Sequence, residues 1–404
     1  MTADTVAPAR GFGFLWAAES VSLLGTQVTL LAVPLLAVQV LDASGFAMGL
    51  LTAAGWLPVT LLGLVAGVWV DRGHPVRIMV VANVARLVLI AAVPLAHVLG
   101  LLSMGLLLAV ALTAGVFAVF FDIAYQTFVP HTVSQDGLPA ANSKLELSRS
   151  VAQLCGPALG GVLVAVLSAT GALLVDAATF LVGALLLAPL LGHRRRAPEA
   201  RPTGSVRTSI REGIAYVRGN TLITTVIAAA SASNLFMSGL IALQVLLAVE
   251  VLGMTATTLG LVFAGEGLAA LVGAALTPRF TRAAGEATVV LVSLTLMAIG
   301  ATMLFLSPLA VGTALFLAGQ LCLGLSGPMI NISLVTIRQR LTPPELLGRV
   351  NATARVAIMT SLPIGSLLFG TVASLAGLHT ALLTIAAGLT VVTALSVRPM
   401  RTLT

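Results

Sequence analysis

Apolar residues run along this chain in twelve long stretches separated by short polar gaps: 11-38, 46-70, 77-99, 104-129, 143-168, 171-192, 221-249, 256-277, 287-306, 309-337, 350-375 and 378-397. Most reach the ~20 residues that a helix rising ~1.5 Å per residue needs to cross a hydrocarbon layer ~30 Å thick. Backbone amides facing lipid must be satisfied within their own segment, so the pattern predicts twelve membrane-spanning helices. The gaps carry a second pattern. The first, third, fifth, seventh, ninth and eleventh connections hold no Lys or Arg, whereas the even connections, their immediate membrane flanks and both ends hold all 21. Arg86 counts with Arg72 and Arg77 at the second connection, and Lys144 with Arg149 at the fourth. The positive-inside rule places these gaps and both termini in the cytoplasm of a multi-pass protein of the plasma (inner) membrane.

Composition narrows the class. At 58% hydrophobic, 9% charged and a mean hydropathy of +1.08, a soluble domain of 404 residues is excluded. An isoelectric point near 10.9 raises nucleic acid as a partner, but the arginines are spread over one membrane face without an aromatic-lined patch, which argues against it. The first stretch is too long for a secretory signal core and is expected to stay as a helix. Cys155 and Cys322 both fall inside spans and imply no disulfide framework. The excess of Arg over a single Lys, with abundant Ala, Gly, Leu and Val, points to a GC-rich bacterial source.

The longest polar interruption divides the spans six and six. The expected organisation is an N-terminal six-helix bundle over 1-192, a cytoplasmic linker over 193-220, and a C-terminal six-helix bundle over 221-404. Within the linker, Ser209 and Glu212 stand at capping-box spacing, with Ile210, Ile214 and Val217 at helical intervals, which predicts a short amphipathic helix at the membrane surface. Arg149, Pro157 and Gly67 fall opposite Arg355, Pro363 and Gly273 at one common offset, favouring duplication of a six-helix unit. Such duplication underlies folds in which a central site opens alternately to each side.

The second span ends in Gly67-Val-Trp-Val-Asp71-Arg72-Gly-His-Pro-Val-Arg77. Gly67 permits close helix approach, and Asp71 can accept hydrogen bonds from a helix N-terminus while pairing with Arg, a combination suited to a cytoplasmic latch. The run resembles the inner-loop motif G-x-x-x-D-R-x-G-x-R-[RK] of major facilitator superfamily transporters. Gly67, Asp71, Arg72 and Arg77 match; His74 replaces a second Gly, and Pro75 and Val76 replace basic residues. The fifth span carries Gly156-Pro157-Ala-Leu-Gly160-Gly161, which resembles the helix-five motif of exporters that exchange substrate for protons, and which on its residues alone also makes a small-residue packing face with a proline kink. Two further segments, Phe120 to Pro130 followed by Asn142 to Arg149, and Pro344 to Val350, resemble the macrolide-efflux and enterobactin-exporter branch. The resemblance implies an all-α integral membrane protein of two six-helix bundles.

Ionisable residues inside spans cost at least ~2.5 to 3.5 kcal/mol when central, so each needs a reason. Glu19 shares a helical face with Ser22, Thr26 and Thr29, a polar stripe expected to face a central cavity. Asp122 and Gln126 lie one turn apart on the fourth span, Glu146, Arg149 and Gln153 on the fifth. Glu266 sits near the middle of the eighth. Asp176 and Glu250, nearer the opposite interface, read as solvated. Glu146 and Arg149 at i,i+3 either neutralise each other or take part in coupling. Asp122 has no basic residue in its own span; it pairs with Arg149 or is protonated in part of a cycle. The proton-coupling candidates are therefore Asp122, Glu146 and Arg149, and the substrate-cavity candidates Glu19, Ser22, Thr26, Gln126, Asn234 and Glu266. The five His show no metal spacing, and the sole Lys, Lys144, follows no Gly-rich phosphate loop, so neither metal, cofactor nor ATP-driven pumping is expected. The reading is a secondary active transporter that exports amphiphilic or hydrophobic small molecules by proton antiport, with protons and membrane lipid as its other partners, acting as a monomer. The alternative is export of an endogenous metabolite such as a siderophore. A membrane-embedded enzyme would need a nucleophile, base or metal set clustered at one depth, and the sequence offers none.

Overall fold

A computed structural model describes residues 7–63, 66–192, 214–309 and 311–401; of residues 7–10, 68, 71 and 401 it describes the backbone alone. The capping pair Ser209 and Glu212 lies outside the described residues, as do positions 193–213. Among the described residues the protein is helical throughout. The helices are α1 (Ala7–Leu41), α2 (Gly45–Leu62), α3 (Ala66–Arg72), α4 (Pro75–Val98), α5 (Met104–Phe128), α6 (Leu138–Leu187), α7 (214–219), α8 (Thr221–Leu246), α9 (Ala256–Ala284), α10 (Glu286–Leu306), α11 (Gly312–Leu341), α12 (Leu347–Ala376) and α13 (Leu378–Arg401).

Eleven of the described helical segments are long and apolar enough to cross a membrane, and one of them, Gln135–Gly192, is long enough to do so twice. α6 runs for 50 residues with one non-helical residue inside it, Ser168, at φ 68° and ψ 169°. This conformation is costly for a residue with a Cβ. The Ser168 side chain offsets part of the cost: its Oγ accepts from the Gly171 amide at 3.3 Å and lies 3.0 Å from Thr170 Oγ1, which caps the second limb. The fifth and sixth predicted spans are thus the two limbs of a helical hairpin. The second predicted span is interrupted instead: α2 ends at Leu62 and α3 resumes at Ala66.

Elsewhere the ends follow local chemistry. Ser103 Oγ accepts from Leu106 N at the start of α5, Asn220 Oδ1 accepts from Ile223 N at the start of α8, and Gly285 and Gly377, both at positive φ, turn the chain between α9 and α10 and between α12 and α13.

The chain resolves into two compact units. One comprises Met1–Asp42, Leu57–Glu199 and Thr255–Ala264; the other comprises Ala43–Trp56, Ala200–Met254 and Gly265–Thr404. In the first unit α1 lies along α6, and α4 packs on both α5 and α6. Its core at the arginine-rich end includes Leu15, Val70, Met79, Phe121, Phe128 and Leu187. The helix-five glycines provide close approaches here. A side chain at Gly156 would meet Gln27 of α1, one at Gly160 would meet Val28, and one at Gly161 would lie 2.6 Å from the Ala256 carbonyl and 3.1 Å from Gly260 Cα of α9. In the second unit α8 packs on α12, α10 on α11, and α10 on α13. Gly49 and Gly370 bring α2 and α12 together, a Cβ at Gly370 lying 2.8 Å from Gly49 Cα. Contact this close without side chains is the usual way helices associate in lipid, where no hydrophobic force drives them together.

α7 is the described part of the predicted surface helix. Tyr216 Oη donates to the Leu341 carbonyl at 3.1 Å, and Val217 packs on Ile223, Ile227, Val350 and Ala354.

Candidate functional site: a polar cavity in the first unit

In the first unit, α1, α5 and the first limb of α6 leave between them a cavity of about 410 Å³. Its walls combine Glu19 from α1, Tyr125 and Gln126 from α5, and Asn142, Glu146 and Arg149 from α6, with Val129, Pro130, Leu138 and Leu145 as apolar surface. The periodicity explains the lining. Asp122 and Gln126 are exposed one turn apart, while Phe121, Ala124, Tyr125 and Phe128 on the other side of α5 are buried. Likewise Glu146 and Arg149 are exposed on α6 while Leu145 and Ala152 are buried.

Neither predicted pairing forms: among the described residues, no ion pair within 4.0 Å joins Glu146 or Asp122 to Arg149. The charges nonetheless lie close enough to act on one another, Glu19 interacting with Asp122, Arg149 and Arg86. Ser148 ties the wall together, its Oγ accepting from Trp16 Nε1 and Ser20 Oγ, both at 2.9 Å.

The rest of the α1 stripe faces elsewhere. Ser22 is buried against Asn83 of α4 and Gly183 of α6; a Cβ on Gly183 would lie 2.8 Å from both Ser22 Oγ and Asn83 Nδ2. Thr26 Oγ1 accepts from Arg86 Nη2 at 3.0 Å, and Thr29 donates to Asp176 Oδ2 in a short hydrogen bond. Asp176 is therefore not solvated, as its place in the sixth span suggests. It is 1% exposed, with Thr179 Oγ1 also donating to its Oδ1 at 3.1 Å. The Ser168 turn is the physical reason: it folds the second limb back so that Asp176, two turns on, faces α1. Glu250 is exposed.

Arg86 is likewise not a boundary cation. It lies 11 residues past the start of α4, about 17 Å along the axis, with its guanidinium carbon 4.0 Å from the centre of the Phe180 ring. Sequence reasoning counted it among the topology-setting charges. The available signal was its depth: an arginine so far inside a span requires carboxylates on neighbouring helices.

The remaining candidates are dispersed. Asn234 and Glu266 belong to the second unit, both half-buried. Glu266 has no ion pair or hydrogen bond among the described residues, and its stem lies against Gly324 of α11. Of the latch residues, Arg72 and Arg77 are exposed, and Gly67 has open space where a side chain would go. Its counterpart Gly273 is tight, a Cβ there lying 3.2 Å from Leu325 Cα.

Eleven helical segments long and apolar enough to cross a membrane, gathered in two compact units with a charged cavity in the first, mark a membrane transporter. The chain matches the family of transmembrane secretion effectors over residues 3–402 and belongs to that family, within the major facilitator superfamily. It is 28% identical over 376 residues to the multidrug efflux pump Tap of Mycolicibacterium fortuitum, covering 88% of this chain and 87% of that one. It is also 28% identical over 389 residues to the pump of the same name from Mycobacterium tuberculosis, covering 90% and 87%. Among solved structures, the nucleoside transporter NupG superposes with a TM-score of 0.81 at 11% identity, over 96% of this chain and 98% of that one. At such identity the likeness speaks for the fold alone. The family is one of transporters, not enzymes, and its bacterial relatives include proteins named multidrug efflux pump and others named only as MFS-type transporters.

Proposed function

We propose that this transporter exports cationic or neutral amphiphilic small molecules in exchange for protons by alternating access. The observation that carries this reading is the cavity's make-up. Glu19, Glu146, Gln126, Tyr125 and Asn142 face about 410 Å³ of space bordered by apolar side chains, with Asp122 one turn along the same face of α5. A pocket of this size suits a drug-sized molecule, apolar walls giving affinity and a few polar groups giving orientation. Carboxylates without ion-pair partners can be neutralised either by a proton or by a cationic cargo, and that competition is what couples the two flows.

In this reading Asp122 takes the proton, Arg149 and Glu146 respond to its charge, and Glu19 with Gln126 meets the cargo. Ser22, Thr26, Asn234 and Glu266 influence cargo range. Gly67, Asp71, Arg72 and Arg77 close the cytoplasmic side, and Gly156, Pro157, Gly160 and Gly161 set the contacts of helix five. The protein works as a monomer in the bacterial plasma membrane with both termini inside.

The test is Asp122→Asn in proteoliposomes with an imposed pH gradient. Asn has nearly the shape of the protonated acid, so gradient-driven accumulation of a lipophilic cation such as ethidium should be lost while downhill exchange persists. Full gradient-driven transport by Asp122→Asn, with loss in Glu19→Gln or Glu266→Gln, would move the proton site to α1 or α9.

A further inference from the structure

One cation in the first unit, Arg86, lies among helices that carry three carboxylates, Asp176 of α6, Asp122 of α5 and Glu19 of α1. Arg86 of α4 donates to Thr26 on α1 and stacks on Phe180 of α6, and its charge acts most strongly on Asp176 of α6, then on Asp122 of α5 and Glu19 of α1. The two sets of carboxylates differ in kind. Asp176 is buried and already receives hydrogen bonds from Thr29 and Thr179, which hold it in place. Glu19, itself buried, reaches the cavity wall and Asp122 is exposed, so the cavity gives cargo and protons a way to both. Arg86 makes no ion pair within 4.0 Å among the described residues and has one hydrogen bond from its five N–H donors, so it is not committed to either set.

We propose that Arg86 is a positioning residue for exchange: a shared counter-cation that balances the fixed Asp176 on one side and the loadable Glu19 and Asp122 on the other. When the loadable pair is ionised and empty, the guanidinium is drawn toward it. When the pair holds a proton or a cationic cargo, that pull is lost and Arg86 settles on Asp176, drawing α4 against α1 and the second limb of α6 through Thr26 and Phe180. The charge state of the cavity is thereby translated into helix packing. The other charged or titratable groups on the elements packed against α4 are Tyr125 of α5 and Lys144, Glu146, Arg149 and Cys155 of α6, and the turn at 188–192 brings none. α3 carries Asp71 and Arg72 at the far end of α4.

This inference rests on the proton-antiport reading for its role in transport, and its experiment separates the two. Ethidium affinity of the purified full-length protein is measured from pH 5 to 9, alongside ethidium–proton exchange in proteoliposomes, for Arg86→Lys, Arg86→Gln and Arg86→Gln with Asp176→Asn. The double variant removes both buried charges, so it remains folded even where Arg86→Gln, which strands Asp176, does not. A shared cation predicts tighter ethidium binding by the double variant at pH 9, by about 3-fold or more, because the cavity carboxylates lose a competing cation. It also predicts that the pH of half-maximal binding rises and exchange slows about 10-fold or more, while Arg86→Lys keeps the wild-type pH midpoint. Wild-type affinity, pH midpoint and exchange in the double variant would show Arg86 to be only a packing partner of Asp176 and would overturn the proposal. If the wild type moves ethidium without protons while the double variant still binds it more tightly, antiport fails and the shared cation stands.

Discussion

Gly160 and Gly161 are neighbours in the helix-five motif, and replacing each by Ala should give sharply different results. A methyl at Gly160 would lie 3.3 Å from Val28 Cα and 3.4 Å from a Leu31 methyl, a fit that asks its neighbours to yield by about a tenth of an ångström. A methyl at Gly161 would lie 2.6 Å from the Ala256 carbonyl oxygen and 3.1 Å from Gly260 Cα. Ordinary contact begins near 3.4 Å, and backbone atoms cannot swing aside, so α6 and α9 would have to part by about 0.8 Å. Overpacking of this kind costs about 1–3 kcal/mol, whereas Gly160→Ala should recover part of its strain from the better helix propensity of Ala, worth up to about 1 kcal/mol. Melting followed by size-exclusion chromatography in dodecylmaltoside should place Gly161→Ala about 2–6 °C below the wild type and Gly160→Ala close to it. Ethidium exchange should fall with Gly161→Ala for the same reason, since one conformation of the cycle loses a close helix contact. Equal melting points for the two variants, with equal exchange, would refute the idea that the motif acts through backbone approach at Gly161.

Three further outcomes follow from the assignments above. A cysteine at position 205 should react with an impermeant maleimide only after the cells are opened; reaction in intact cells would reverse the topology. Asp71→Asn should lower turnover with little effect on the amount of protein in the membrane, because it removes a charge at a helix end without leaving a cavity; a wild-type transport rate would remove the latch from the mechanism. Glu19→Gln and Glu266→Gln should change ethidium affinity more than the steepness of its pH dependence. Glu19→Gln should have the larger effect, because Glu19 lines the cavity and Glu266 lies in the other unit.

Hydropathy and the alternation of arginines made the fold class and the number of crossings legible, because lipid constrains every span in the same way. It also marked Glu19, Gln126, Glu146 and Arg149 as polar positions on helices, and these four do meet around one cavity. What the pattern could not convey is which helix face meets which neighbour. Ser22, Thr26 and Thr29 share a stripe with Glu19, yet α4 and α6 lie against them: Thr29 serves Asp176, Thr26 serves Arg86, and Ser22 packs beside Asn83 and Gly183, all away from the cavity. Asp176 reads as interfacial when α6 is drawn as two separate helices and as interior once the Ser168 turn is known. Arg86 was obscured by its usefulness: in a census of boundary charges it adds to the same side as its neighbours, and its depth in α4 goes unremarked.

The turn at Ser168 bears on how the protein is made. Its two limbs are joined by one non-helical residue. An extended chain gains at most about 3.6 Å per residue, so that link cannot reach across a bilayer. The second limb can therefore only fold back beside the first, which turns Asp176 toward Thr29 of α1 rather than toward lipid. A longer, flexible insert at position 168 would let the two limbs enter the membrane independently and leave that carboxylate without its hydroxyl partner until they met, a cost that the brevity of this turn avoids.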